Sequence, residues 1–331
     1  MSLPALKLPS AGDYGLLLAL GVIWGVSFTL IKIAVSTVPA IPMTIIRLAM
    51  TAVLMIGLMW WMKERWPPWG RVWVFIALSA LVGNALPFLL IGWGQEKIDG
   101  SLAAILMSPS PLAAALLAHL FTRDDKLNRY KLAGIALGIV GIAVLMGIGN
   151  LTRIGADLKY ELIILFAGCC YGANVVINRG LIGGSALANV TAVITVSVAM
   201  LAPLALMQGT WDFTPSNQSI SAMVALAIFS TCIGTLLMLS LVRRAGPAFT
   251  AQVNFLVPVF GVISGALILA ERPEPRAIAG LALILAGVAI ARRGAGLRQP
   301  TTAPVTAPVS APVSAPAPAR APASGKPVSG R

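Results

Sequence analysis

The chain has 331 residues, of which 58% are apolar and 11% charged, and its net charge is +13. A soluble globular protein carries about 25% charged residues, so water is not the main solvent of this chain. An excess of Lys and Arg fits nucleic-acid binding in soluble proteins, but the cytoplasmic loops of membrane proteins show the same excess. The composition therefore predicts a polytopic protein whose partner is the lipid bilayer, with no nucleic acid.

Apolar runs of about 20 residues, the length that crosses a hydrocarbon core of about 30 Å, predict ten transmembrane helices. The predicted helices are 14–35, 41–62, 71–93, 100–121, 130–148, 159–178, 187–208, 219–242, 247–269 and 276–291. The expected fold class is all-α.

Lys and Arg divide unevenly between alternate loops, with fourteen on the side of the N-terminus and five on the other. The positive-inside rule then predicts that both termini are cytoplasmic. Residues 1–13 form the expected cytoplasmic N-terminus. Residues 299–331 repeat a Thr/Ser/Ala-Pro-Val unit, which predicts a disordered cytoplasmic tail rich in polyproline II conformation.

The sequence matches itself without a gap at an offset of 147 residues, so that IWGVSFTLIK at 23–32 lies over CYGANVVINR at 170–179. Residue pairs superposed by this offset are Gly25 with Gly172, Lys32 with Arg179, Pro111 with Pro258, and Asp124 with Glu271. The unit has five helices, and an odd number forces the second unit to enter the membrane inverted. We expect repeats at 14–148 and 149–298.

Four segments carry a family likeness: IWGVSFTLIKIAV with the following helix that bears Arg47, GSLAAILMSPSPLAAALLAHLF, RDDKLNRYKLAGIALGIVGIAVL, and NFLVPVFGVISGALILAERPEPRAIAGLALILAGVAIA. Together they resemble the drug/metabolite transporter superfamily, and in particular its EamA-type exporters of amino acids. The resemblance implies ten helices around a central cavity and export of amino acids or similar metabolites across the bacterial inner membrane. Multidrug relatives use an intramembrane glutamate for proton coupling, and no predicted helix holds an acid at depth.

Two matching helix faces are candidates for the cavity lining. Trp24 and Ser27 share one face of the first helix, and the repeat maps this face onto Tyr171, Asn174 and Asn178. Polar groups within hydrocarbon usually face a cavity or another helix, so helix packing is the alternative. The other expected substrate-binding residues are Asn84, Gln252 and Asn254.

Four prolines are candidate helix breaks or hinges: Pro87, Pro109, Pro111 and Pro258. Proline removes a backbone donor and leaves a carbonyl one turn earlier free to solvate a substrate ammonium. The alternative is a kink that neighbouring helices fill.

Lys32 and Arg47 are the only strong cations set well inside the predicted helices, and His119 is the only histidine. We expect Lys32 and Arg47 to extend to the interface, with attraction of a substrate carboxylate as the alternative. His119 falls near a helix end, where it can cap carbonyls; a proton relay is the alternative.

These features favour a carrier for small, roughly neutral metabolites that works by alternating access, with no cofactor and no metal. The alternatives are a multidrug or other metabolite carrier, a channel, and an intramembrane enzyme, which would need paired acids at depth. The sequence leaves the oligomeric state open.

Overall fold

The computed structural model describes residues 9–122, 126–146, 156–207 and 211–296. The predictions for Asp124, for the junction of the repeats at 148 and for the tail 299–331 lie outside these residues. Within them, helices are the only regular secondary structure. The ten helices are α1 (Ala11–Val35), α2 (Ala40–Trp61), α3 (Val72–Gln95), α4 (Gly100–Phe121), α5 (Arg129–Met146), α6 (Ala156–Ile177), α7 (Ala186–Met207), α8 (Asn217–Thr250), α9 (Val253–Ile268) and α10 (Pro275–Gly296).

Three helices change geometry along their length. α3 winds as a π-helix over Leu81–Ala85, and α8 does so over Leu226–Ile233. α4 is interrupted at Ser108 and Pro109, where two prolines in three positions lack the N–H that an unbroken helix requires.

The ninth helix is shorter than predicted. Gly246, with φ of 83°, interrupts helical geometry near the end of α8, and a turn at Ala251 and Gln252 precedes α9. α9 therefore has 16 residues, or about 24 Å of helix. The other nine helices of the described ranges are long and apolar enough to cross a bilayer. The prediction of an all-α membrane protein with ten helices is confirmed.

Paired glycines determine the direction of α5 against α10. A Cβ on Gly134 would lie 2.4 Å from the carbonyl oxygen of Gly287, and one on Gly141 would lie 2.9 Å from that of Gly280. Contacts further along α5 are made with residues of lower number on α10, so the two helices are antiparallel. This is the relation that inversion of the second half requires.

Glycines also mark two equivalent parallel pairs. Gly25 brings α1 against α9, where its missing Cβ would lie 2.9 Å from the backbone nitrogen of Gly261. Gly172 brings α6 against α4, where the same atom would lie 2.7 Å from the nitrogen of Ala114. Both residues of the second contact are 147 positions from their partners in the first. The halves thus exchange places about a pseudo-two-fold axis.

Candidate functional site

The π segments of α3 and α8 occupy equivalent positions in the two halves. The offset of 147 carries Leu81–Ala85 onto 228–232, inside the π segment Leu226–Ile233. Such segments shift the hydrogen-bond register of a helix and are frequent at functional sites. Four of the predicted polar residues lie in or against one of these two segments: Trp24, Arg47, Asn84 and Asn174.

α1 meets the π segment of α8 through Trp24. The indole Nε1 donates to the backbone oxygen of Ser230 at 3.1 Å, a carbonyl within the π segment. Ser27 lies one turn on and is buried, and its hydroxyl donates to the carbonyl of Trp24 at 2.5 Å. Both predicted residues of α1 are therefore in the helix interface, with their donors already used.

Arg47 of α2 binds the same π segment. Its Nε donates to Oγ1 of Thr231 at 2.9 Å, and its Nη2 donates to Oγ of Ser230 at 3.3 Å. The guanidinium lies 4.2 Å from the centre of the Phe88 ring of α3. Only 5% of Arg47 is exposed. The expectation that this side chain extends to the interface is wrong, because hydroxyls supplied by α8 hold it inside the bundle.

In the other half, two amides join α6 to α3. The Ser79 hydroxyl lies within hydrogen-bond distance of Oδ1 of Asn174, at 2.8 Å, and of Oδ1 of Asn178, at 2.9 Å. The Asn174 amide also packs on Gly83, where a Cβ would lie 2.2 Å from Nδ2. Of the two, Asn178 is exposed. These contacts match the packing alternative for the two asparagines.

Two predicted residues retain unused polar groups near the centre. Among the described residues, neither the Asn84 amide of α3 nor the Tyr171 hydroxyl of α6 has a hydrogen-bond partner, and both side chains are only partly buried. Asn84 is one turn before Phe88, the residue that stacks on Arg47. Tyr171 is within electrostatic range of Arg47. These groups, with Arg47, are the candidate centre of the site.

The four prolines differ in what they do. Pro87 lies in the first turn of the α segment that follows the π segment of α3. Pro109 and Pro111 flank the start of the second part of α4, after its interruption. Pro258 lies inside α9 without ending the helix.

The remaining predicted residues lie at helix ends. Lys32 is half-buried, and its Nζ donates at 2.9 Å to the backbone oxygens of both Gln95 and Ile98 at the end of α3. His119 accepts from the backbone nitrogen of Leu127 at 3.2 Å through Nδ1, so it ties down the connection from α4 to α5.

The two polar residues predicted on the ninth helix are at its start. Gln252 is exposed in the turn before α9, and the Asn254 amide donates to the backbone oxygen of Ala251 at 3.0 Å. Neither is brought into contact with Arg47 or Tyr171 by a hydrogen bond.

Sequence reasoning missed Ser79, Phe88, Ser230 and Thr231. Hydroxyls are common in membrane helices, so Ser230 and Thr231 gave no signal of their own. The repeat did point to these two hydroxyls, because an offset of 147 carries Gly83 and the predicted site residue Asn84 onto Ser230 and Thr231. In the described ranges, no group of three His, Cys, Asp or Glu side chains is arranged to hold a metal ion.

Comparison with known proteins agrees with this architecture. The sequence profile of the EamA-like transporter family matches twice, at 13–147 and at 158–293. The chain belongs to this family. A solved crystal structure that is 17% identical superposes with a TM-score of 0.57, covering 86% of this chain and 98% of the other, and supports the fold alone.

Individual relatives are also transporters. The inner membrane transporter YedA of Escherichia coli K12 is 26% identical, over 76% of this chain and 81% of its own length. A probable amino-acid metabolite efflux pump of Salmonella typhimurium is 26% identical, over 85% and 95%. An S-adenosylmethionine/S-adenosylhomocysteine transporter of Chlamydia muridarum is 24% identical, over 80% and 86%.

Proposed function

We propose that this EamA-family protein exports amino acids and similar small metabolites across the bacterial inner membrane, with broad specificity and with both termini in the cytoplasm. The observation that carries the proposal is the buried Arg47 of α2, which hydroxyls of α8 in the second half hold against Phe88 of the first half. Relatives named as an inner membrane transporter and as an amino-acid metabolite efflux pump support it.

The transport mechanism we propose is alternating access by rocking of the halves. Inverted halves of similar energy can exchange conformations about a site on their pseudo-two-fold axis. Each acid that the structure describes lies in a connection or in the first two turns of a helix. Movement therefore follows the substrate gradient and is not driven by protonation of a carboxylate at the centre.

In this proposal, Asn84 and Tyr171 supply hydrogen bonds to the substrate, while Trp24 and Phe88 form apolar wall. Their aromatic faces can also attract a substrate ammonium. Pro109 and Pro111 mark the point at which α4 bends during rocking.

Purified protein in proteoliposomes loaded with threonine or methionine tests the proposal by counterflow of the labelled amino acid. We expect saturable, competable flux that empty vesicles lack. Asn84→Leu should lower it about tenfold, because one hydrogen bond to a substrate is worth roughly that factor. Asn254→Leu is the matched control, since that amide is engaged at a helix end. Absence of saturable flux for every amino acid tried contradicts the proposal.

A second candidate is a carrier for S-adenosylmethionine-like metabolites, which the chlamydial relative favours. Competition of labelled methionine flux by S-adenosylmethionine separates the two. Inhibition at lower concentration by S-adenosylmethionine than by methionine favours this second candidate.

A further inference from the structure

Arg47 is a buried cation without a counter-charge. Across the described residues no ion pair joins it to a carboxylate. Its protein acceptors are two neutral hydroxyls. A charge held inside a membrane protein without a partner is costly, and such residues usually mark the path of a substrate or ion.

The side chain has donors to spare. A guanidinium carries five N–H groups, and Ser230 and Thr231 accept from two of them. Nη1 has no hydrogen-bond partner among the described residues. The unused edge of a guanidinium presents parallel N–H groups at the spacing of the two oxygens of a carboxylate.

The surroundings fix the direction of this edge. Phe88 covers one face of the guanidinium, and the two hydroxyls hold its Nε and Nη2 against α8. The hydrogen bonds of Nε and Nη2 thus prevent rotation of the guanidinium and leave its Nη1 side without a protein partner among the described residues. A preorganised fork binds an anion without the entropic cost of ordering a long side chain.

The second half offers no equivalent charge. Thr51 donates to the carbonyl of Arg47 at 2.9 Å and to that of Ala227 at 3.2 Å. Ser197 of α7 donates in the same way to the carbonyl of Val193 at 2.8 Å and to that of Ala80 at 3.1 Å. Matched by this bridge, the counterpart of Arg47 is Val193, one position before the Ile194 that the offset of 147 gives, and both residues are apolar. Among the described residues the site therefore has one cation, which suits it to one anionic group.

We propose that Arg47 is the specificity-determining residue of the transport site and that it binds a carboxylate of the substrate. The substrate class is then carboxylate-bearing metabolites, with or without an amino group, and excludes amides and amines of the same size. This inference rests on the proposed function. It adds that the anionic end of the substrate is recognised by charge, while Asn84 and Tyr171 meet the remainder.

Competition against labelled methionine in proteoliposomes tests the substrate class. We expect desamino-methionine, which keeps the carboxylate, to inhibit flux within a few-fold of unlabelled methionine. Methioninamide, which keeps size and ammonium but not the carboxylate, should inhibit at least about tenfold less well. Equal inhibition by the amide overturns the inference and leaves the proposed function standing. No saturable flux in the unaltered protein rejects the proposed function, and this inference with it.

Variants of Arg47 test the residue. Arg47→Gln should raise the apparent KM for methionine about 10- to 100-fold and abolish the preference for desamino-methionine over methioninamide. Arg47→Lys keeps the charge without the fork and should give an intermediate preference. The matched control is Arg292→Gln, which also removes an arginine stacked on a phenylalanine, 5.2 Å from the Phe255 ring of α9. It should leave the preference unchanged.

Ligand-induced thermal stabilisation separates binding from a packing role. Desamino-methionine should raise the Tm of the unaltered protein and of Arg292→Gln, but not that of folded Arg47→Gln. A packing role lowers the Tm of Arg47→Gln without changing the shift that the ligand produces, and this result overturns the inference. If Arg47→Gln does not fold, the shift is measured on Arg47→Lys, where a shift as large as in the unaltered protein is the contradicting result.

Discussion

The two halves of the bundle have the same backbone contacts but different chemistry. Thr51 and Ser197 each bridge their own helix to the helix that carries a π segment, at Ala227 and Ala80 respectively. Beside these bridges the first half has Arg47 against two hydroxyls, whereas the second has Val193 among apolar neighbours. The repeat thus preserves helix packing while polarity is concentrated on one side. In the proposed mechanism, the shared packing allows the rocking motion and the unequal polarity provides substrate recognition.

The largest expected effect comes from placing a charge in the apolar half. Val193 is 4% exposed and packs with Val72, Ile76 and Ala80. Val193→Arg should lower the free energy of unfolding by about 3 kcal/mol or more, because the neighbours in its cluster are apolar and offer no pair of hydroxyls like the one that binds Arg47. Val193→Met, of similar length but uncharged, is the control. If chemical denaturation in detergent finds the two variants equally stable, the second half has hydrogen-bond acceptors of its own, and the claimed difference in polarity between the halves is wrong.

A smaller effect tests the shared packing. Gly25→Ala and Gly172→Ala each add a Cβ within 3 Å of backbone nitrogen on the facing helix. Both should be destabilised by about 1–3 kcal/mol, as overpacked positions are. Gly57→Ala is the control, since nothing lies within 4 Å of its Cβ position, and it should be neutral or slightly stabilising. Thermal unfolding in detergent measures all three, and tolerance at only one of the paired glycines would show that the halves pack differently.

The smallest effect compares the two matched aromatic residues. Trp24→Phe loses a hydrogen bond to Ser230 and should cost about 1 kcal/mol. Tyr171→Phe removes a hydroxyl for which the described residues offer no hydrogen-bond partner, so the free energy of unfolding of this variant should stay within about 0.5 kcal/mol of that of the unaltered protein. The same denaturation experiment measures both. A larger loss for Tyr171→Phe would mean that its hydroxyl is bound within the protein.

Hydropathy and the offset of 147 were enough to predict the helices and their inversion, because both depend on patterns spread over many residues. The start of α9 was harder. The predicted break at 243–246 contains Gly246, where helical geometry is interrupted, but helix resumes up to Thr250 and α9 itself begins only at Val253. Hydropathy does not reveal this second, short interruption. The π segments were also beyond sequence reasoning, because their stability depends on helices that pack against them.

The site was predicted less well than the fold, and its residues remain proposals. Trp24, Tyr171 and Asn84 were singled out as polar groups in apolar helices, but the sequence did not distinguish groups already bound from groups without a partner. Arg47 was expected at the interface because its acceptors, Ser230 and Thr231, are 183 and 184 positions away. Only the contact of α2 with α8 joins them.

The π segments have a consequence for how this site responds to changes in helix length. A π turn contains an extra residue within one wide turn, so deleting one residue from Leu81–Ala85 would let α3 wind as a plain α-helix while Phe88 kept roughly its orientation toward Arg47. A deletion in a regular turn of α3 has no wide turn to absorb it and would rotate everything beyond it by about 100°. The site therefore tolerates a deletion inside the π segment better than a deletion beside it.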